Sequence, residues 1–252
     1  MSVDRGRPRT AVRTAVVWEV LREALADLAA RVEVVRVLDI GGGTGGFAVP
    51  LAELGFSVTV IDPSPDALAA LERRAAEAGT ATLVTGVQGD ADQVVELVGA
   101  EAVEAVVCHN VLEVVEDPDH ALAQIGTVLR PGGVASILAA NRVAAVVARV
   151  AAGRLADARH LLAAADGSAG EGDPLARRFS MDELMDLISG AGLVPRHSHG
   201  VRVFADIAPA ALLDIDPQAV DDLIALEHAA AEDPAYATLA TGLHVLADRL
   251  PR

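Results

Sequence analysis

Lysine is absent from this 252-residue chain: all 20 basic residues are arginine, against 36 acidic ones, for a formal net charge of −16. A surface for nucleic acid or anionic membrane needs a broad basic field, and this chain repels phosphate on average. The exception is local. Arg5, Arg7, Arg9 and Arg13 crowd the first thirteen residues, and they read either as a solvated tail or as an arm over an anionic ligand. Aromatic residues make up only 2% of the chain, so the core must be built from alanine, valine and leucine, with few rings to stack on a base. Cys108 is the one cysteine, which excludes an intrachain disulfide and a cysteine-based metal cluster. Met1 to Arg9 lacks an apolar signal core. No uncharged apolar run approaches the roughly 20 residues that span a bilayer. The expectation is a soluble cytoplasmic protein with no membrane partner.

What is present centres on Val35 to Gly46, VRVLDIGGGTGG. A β-branched run ends in an acid, breaks into glycines, and is followed by a helical pattern from Phe47 to Leu54. Glycine lets the backbone turn sharply and approach a ligand without Cβ clashes. The N–H groups of such a loop, at a helix N-terminus, suit an anionic or nucleotide-like group. The loop satisfies two templates together: Gly41, Gly43 and Gly46 spell G-x-G-x-x-G, and Asp39, Gly41, Gly43 and Gly45 spell D-x-G-x-G-x-G.

Apolar spacing predicts an amphipathic helix over Thr10–Val32. Nearly continuous apolar strands follow at Val35–Asp39, Ser57–Ile61, Ala81–Thr85, Glu104–Cys108 and Val134–Ala139. Helices separate them, the third starting at Asp90 as its cap and the fourth at Pro118, with a turn over Arg130–Gly133. This alternation, at roughly 22–25 residues per unit, predicts a parallel sheet buried on both faces. Beyond Asn141 it stops. Arg142 to about Ala165 reads as one helix, 166–174 as a glycine-rich loop, and Ser180 with Glu183 as a capping box for a helix ending near Gly190. Val201–Ala205 reads as a strand, Ala208–Glu232 as mostly helix and Thr241–Ala247 as a last strand.

In such sheets the ligand sits beyond the carboxyl ends of the strands. Those ends carry Asp39 and its glycines, Asp62, Gln88, Gly89, Asp90 and His109. Asp62 is placed to accept hydrogen bonds from ribose hydroxyls, or to cap the next helix. Asp90 has the same two readings, with adenine in place of ribose. His109, with Glu113 close by, is open between a base, a cofactor contact and a structural histidine. His197, His199 and His244 lie on expected strands; exposed strand histidines are the expectation there, rather than a metal site.

With these residues in view, the chain resembles class I S-adenosylmethionine-dependent methyltransferases. More closely it resembles the bacterial methyltransferases that esterify 5-carboxymethoxyuridine in tRNA. The similarity rests on Val37–Gly43, His109–Glu113 continuing to Asp117-Pro118, Val128–Val134, Gly200–Phe204 and Leu243–Val245. It implies cofactor contacts at Arg13, Gly41, Gly42, Asp62, Gln88, Gly89 and His109, with Arg13 pairing the cofactor's carboxylate. Asp39, Gly43, Gly45 and Asp90 join them from the loop pattern and strand ends. The expected fold is α/β: a Rossmann-like methyltransferase fold with a seven-stranded, mostly parallel sheet, an antiparallel last strand and helices on both faces. One domain is expected over 1–252, with 1–34 a helical arm, 35–139 the cofactor core, 140–180 a substrate-side cover and 181–252 the rest of the sheet. The expected activity is methyl transfer from S-adenosyl-L-methionine to a small-molecule or tRNA acceptor, a carboxylate among the candidates. His109 and Glu113 are the candidate bases, and no metal is expected. The acidic charge weighs against tRNA. Two alternatives stand beside this reading: an NAD-dependent oxidoreductase, from G-x-G-x-x-G, and a non-catalytic cofactor-binding protein of the same fold.

Overall fold

The computed structural model describes residues 7–170, 172–209, 211 and 216–251, with side chains described from Ala11 onward apart from Pro217. Of the early arginines, only Arg13 has a described side chain. The elements are α1 (Arg7–Ala29), β1 (Arg36–Ile40), α2 (Ala48–Glu53), β2 (Ser57–Asp62), α3 (Pro65–Glu77), β3 (Val84–Gln88), α4 (Val94–Val98), β4 (Val103–His109) and α5 (Pro118–Val128). They continue with β5 (Leu129–Ala140), α6 (Arg142–Ala151), α7 (Leu155–Ala163), α8 (Met181–Gly190), β6 (Val194–Val201), α9 (Pro217–Ala231), α10 (Pro234–Ala237) and β7 (Gly242–Asp248).

The strands form one seven-stranded sheet in the order β3-β2-β1-β4-β5-β7-β6. β1 pairs in parallel with β2 and β4, β2 with β3, and β4 with β5. β7 runs antiparallel to β5: Gly132 donates to the Arg249 carbonyl near one end, and Asn141 to the Thr241 carbonyl near the other. This is the expected Rossmann-like methyltransferase fold. The parallel strands are buried because helices cover both faces; every residue of β4 from Val103 to Cys108 is buried.

The chain divides into two compact units. One comprises 23–139, 182–197 and 245–252; the other comprises 1–22, 140–181 and 198–244. The first holds β1 to β4, with a core of small aliphatic side chains such as Leu38, Val58, Val60, Leu71, Val106 and Ile125. In the second, Val12 and Leu223 pack with Phe204, Val220 and Ile224. Here Glu227, 1% exposed, accepts the backbone N–H groups of Val203, Phe204 and Ala205, which satisfies a segment that leaves the sheet.

Several sequence expectations are corrected. β3 begins at Val84 rather than Ala81, because Leu83 N–H closes a turn onto the Thr80 carbonyl before the strand can pair. Arg130 to Gly133 lies within β5 instead of preceding it. Pairing jumps from Val103↔Leu129 to Ala105↔Val134, so those residues form a bulge, with Gly132 at φ +83°. The helix expected over 142–165 is two, parted at Gly153, whose φ of +73° no regular helix accepts. The strand expected at Val201–Ala205 is β6, which ends at Val201. The helix expected from Ala208 is α9, from Pro217; residues 210 and 212–215 lie outside the described ones. Among the described residues no helix is long and apolar enough to cross a membrane.

Candidate functional site

β1 delivers Asp39 to the sheet's carboxyl edge, and the chain turns at once through Gly41 (φ +66°), Gly43 (φ +54°) and Gly45 (φ +81°). Space demands glycine here as well. A Cβ on Gly42 would stand 2.5 Å from Asp39 Oδ2 and 2.9 Å from Val60 Cγ1, and one on Gly41 would stand 2.5 Å from Val111 Cγ2. Gly46, by contrast, has nothing within 4 Å of where its Cβ would be. The loop is tied to its neighbours: Gly41 N–H donates to the Ile61 carbonyl at 2.7 Å, and Gly43 N–H to Asp62 Oδ2 at 2.9 Å.

Asp62 ends β2. Its second oxygen, Oδ1, accepts Ser64 N–H at 2.9 Å, and Ser64 itself caps α3 by accepting Ala67 N–H. Asp62 is therefore not the helix cap. Its carboxylate keeps further lone pairs beside the glycine loop. Gln88 lies opposite Asp62 in the β2–β3 register, and Gly89 N–H donates to the Asp62 carbonyl at 3.3 Å. Asp90 is also not a cap, since the N-cap of α4 is Gln93. Asp90 lines a cleft of about 520 Å³ together with Ala91, Asp92, Val114, Glu116 and His120.

Asp39 is 3% exposed, and its Oδ2 has no hydrogen-bond partner among the described residues. Burial, and then the charge of Asp62, push its carboxyl up to about 7. Burial together with the charges of Glu113 and Asp39 holds the Cys108 thiol far above its ordinary value, so it is inert as a nucleophile. His109, at the end of β4, bonds Ser136 Oγ through Nε2 at 2.8 Å and meets the Phe47 ring edge-on at 4.6 Å between centroids. Burial pushes its imidazole down to about 3, leaving it neutral at ordinary pH. Glu113 is 1% exposed.

Asp39, the glycines, Asp62, Gln88, Gly89, Asp90, His109 and Glu113 thus all belong to the unit built on 23–139. Arg13 belongs to the other unit, where it pairs with Asp206 at 2.9 Å. Sequence reading missed Ser136, Phe47 and Val111. Ser136 did leave a signal: it is a polar residue in the middle of an otherwise apolar buried strand. The strand histidines are not exposed as expected. His199 and His244 are 4% and 0% exposed, stacked at 5.3 Å with their Nδ1 atoms 3.2 Å apart, because β6 and β7 are neighbours in the sheet; only His197 faces solvent. No group of three or more metal-ligating side chains occurs among the described residues.

The sheet order and this loop define the class I methyltransferase fold, whose cofactor is S-adenosylmethionine. The loop fits a nucleoside-bearing cofactor: it is a backbone cradle that side chains would fill, with a carboxylate at its rim. Residues 38–137 match the family described as "Methyltransferase domain". Among curated relatives, tRNA 5-carboxymethoxyuridine methyltransferase of Escherichia coli K12 is 32% identical over 136 residues, 54% of this chain and 51% of the relative. A ubiquinone biosynthesis O-methyltransferase of Caulobacter is 34% identical over 110 residues, 44% and 42% of the two chains. The chain spans about half the length of the curated relatives it matches. A solved S-adenosylmethionine-dependent methyltransferase of Methanosarcina mazei superposes with a TM-score of 0.61 at 18% identity, covering 88% of this chain and 95% of that one. The comparisons lend no support to the oxidoreductase alternative.

Proposed function

We propose that the chain transfers a methyl group from S-adenosylmethionine to a small-molecule acceptor, a carboxylate being the acceptor the site favours. The observation that carries the cofactor half is the clamp of Gly43 N–H on Asp62 Oδ2. It sets a charged acceptor at the rim of a loop that only backbone fills. Asp62 is assigned to the ribose hydroxyls, Asp90 with Ala91 to the adenine side, and the loop to the amino-acid portion. Arg13 is assigned to the cofactor's carboxylate on the strength of the resemblance.

When bound, S-adenosylmethionine supplies a methyl group on a sulfonium, and the electrophilicity is its own. What remains for the chain is to orient the acceptor and exclude water, which in ideal cases contributes roughly 7 kcal/mol or more. A hydroxyl or amine acceptor needs a base near the working pH. His109, held down to about 3, is too weak a base for that task, and Glu113 is enclosed. A carboxylate arrives already ionised and needs neither. The net charge of −16 and the absence of lysine favour a small acceptor over a polyanion.

The test begins with calorimetric titration of S-adenosylhomocysteine, with NAD as control. Methyl transfer is then assayed with a panel of small carboxylic acids and with tRNA bearing carboxymethoxyuridine. Binding of S-adenosylhomocysteine alone and turnover of a small acid are the expected results. Turnover of the tRNA only would overturn the acceptor class, and no binding would overturn the cofactor.

A further inference from the structure

A second cluster of charge lies in the unit that holds 140–181, where α6, α7 and the loop before α8 bring Arg149, Arg154 and Arg178 together with Asp157 and Asp173. Asp173 is already filled. Its Oδ2 accepts Arg178 Nη1 and the Ala169 N–H, and its Oδ1 accepts Arg178 Nη2 and the Leu175 N–H. That uses the roughly four lone-pair sites of a carboxylate. Arg154 is taken up by Asp157, three residues on, at 2.5 Å. Arg149 is left over. Its Nη2 stands 3.7 Å from Asp173 Oδ2, beyond hydrogen-bond distance, and its Nη1 donates to the Ala145 carbonyl at 3.1 Å. Its Nε is enclosed and has no hydrogen-bond partner among the described residues. Burial, and then the charge of Arg178, weigh against the ionised form of Arg149. With its side chain only 14% exposed, water compensates this guanidinium poorly, and an unneutralised charge in such a place points to an anion that offsets it.

We propose that the Nε–Nη2 edge of Arg149 is a binding site for a small oxyanion, a carboxylate or a phosphate, separate from the site of the methyl donor. That edge of a guanidinium presents two parallel donors matched to two oxygens on one carbon or phosphorus, and here neither donor makes a hydrogen bond. Arg178 adds a second positive charge without competing for the ligand, because Asp173 holds its Nη1 and Nη2. The Asp173–Arg178 pair acts as the positioning element: it fixes the loop beside α6 and so fixes the surroundings of Arg149. Nε is enclosed in the empty state, so binding turns the Arg149 guanidinium outward and gives up its one hydrogen bond, to Ala145. The inference does not depend on the methyl donor, whose glycine loop belongs to the unit built on 23–139.

The test is thermal denaturation of the full chain in sodium acetate and in sodium phosphate, each titrated against sodium chloride at equal ionic strength. A saturable rise in melting temperature with at least one of the two anions is expected, and the anion that gives it names the class. The rise should be lost in Arg149→Gln and reduced in Arg149→Lys, which keeps the charge without the fork. In chloride, Arg149→Gln should melt no lower than wild type, because Arg149 makes one hydrogen bond and sits near a like charge. No saturable rise in wild type with either anion, or a rise that survives in Arg149→Gln, would overturn the inference. So would a variant that melts clearly lower in chloride, since the arginine would then be serving the fold. Calorimetric titration with S-adenosylhomocysteine separates this inference from the methyltransferase reading. Arg149→Gln should bind it as wild type does, and a loss of about tenfold would return Arg149 to the cofactor and overturn a separate site. Failure of the wild-type chain to bind it overturns the methyltransferase reading and leaves the anion site to be decided by the melting experiment.

Discussion

Gly43 donates its backbone N–H to Asp62 Oδ2 at 2.9 Å, so the loop after β1 is fastened to the end of β2 by the very carboxylate assigned to the ribose. One bond therefore serves two ends: it holds the cradle's shape and orients the carboxylate that projects from it. Hydrogen bonds to a charged acceptor are worth about 1.5–3 kcal/mol each, more than neutral ones. Asp62→Ala should accordingly weaken S-adenosylhomocysteine binding by roughly 1–3 kcal/mol in a calorimetric titration. Unchanged affinity would remove Asp62 from the cofactor site.

The loop glycines are not equivalent. At Gly42 a methyl group meets Asp39 and Val60, whereas at Gly46 it meets nothing. Gly42→Ala should lower stability by about 1–3 kcal/mol through overpacking, and Gly46→Ala should change it by less than about 0.5 kcal/mol. Thermal denaturation of the two variants side by side checks the contrast. Equal losses would refute the cradle geometry.

The glycine-rich segment before α8 is anchored by a buried ion pair. Asp173 accepts Arg178 Nη1 at 2.5 Å and Nη2 at 2.8 Å, with the two side chains 1% and 7% exposed, and it also accepts the N–H groups of Ala169 and Leu175. The Arg178 guanidinium holds the Asp173 carboxyl far below the usual carboxylate range. Removing one partner of such a pair strands the other, so Arg178→Ala should cost about 3–5 kcal/mol in chemical denaturation. With the folded value depressed, the wild-type contribution is complete above about pH 4 and is lost as pH falls below it. Arg178→Ala should therefore differ less from wild type in acid than at neutrality.

Asp39 has the opposite sign. Its folded value lies above that of an unfolded aspartate, so its contribution to stability is complete below about pH 4 and is lost as pH rises through about 7. The gap of about three pH units corresponds to roughly 4 kcal/mol at most. Unliganded Asp39→Asn should then melt at a higher temperature than wild type at pH 8, with the gain shrinking toward pH 4. A gain that does not depend on pH would show that burial of the ionised carboxylate is not its source. A residue that weakens the empty fold where it is ionised fits one retained for a ligand.

Much of this was legible in the chain itself, for local reasons. Glycine spacing after an apolar run marks a strand, a tight turn and a helix start wherever it occurs, and Asp39 and Asp62 were both placed at strand ends by that pattern alone. Continuous apolar runs separated by helices called for a parallel sheet, since only burial on both faces tolerates them. Where the reading slipped, a partner distant in sequence decided. The Arg130–Gly133 bulge exists because Val103 and Arg249 pair with either end of it. β3 starts three residues late because a turn onto Thr80 comes first. His199 and His244 are buried against each other because sheet order brings together residues 45 positions apart.

The sequence by itself determined the class of fold, the position of the glycine loop and the acidic net charge that disfavours a polyanion, since each follows from local periodicity, turn chemistry or summed charge. Only the tertiary structure decided that Ser136 holds His109, that burial leaves that imidazole neutral, and that Asp39 is sealed beneath Gly42 beside Asp62. Hydrogen-bond partners and desolvation depend on what the other strands bring alongside, and no stretch of sequence carries that information alone.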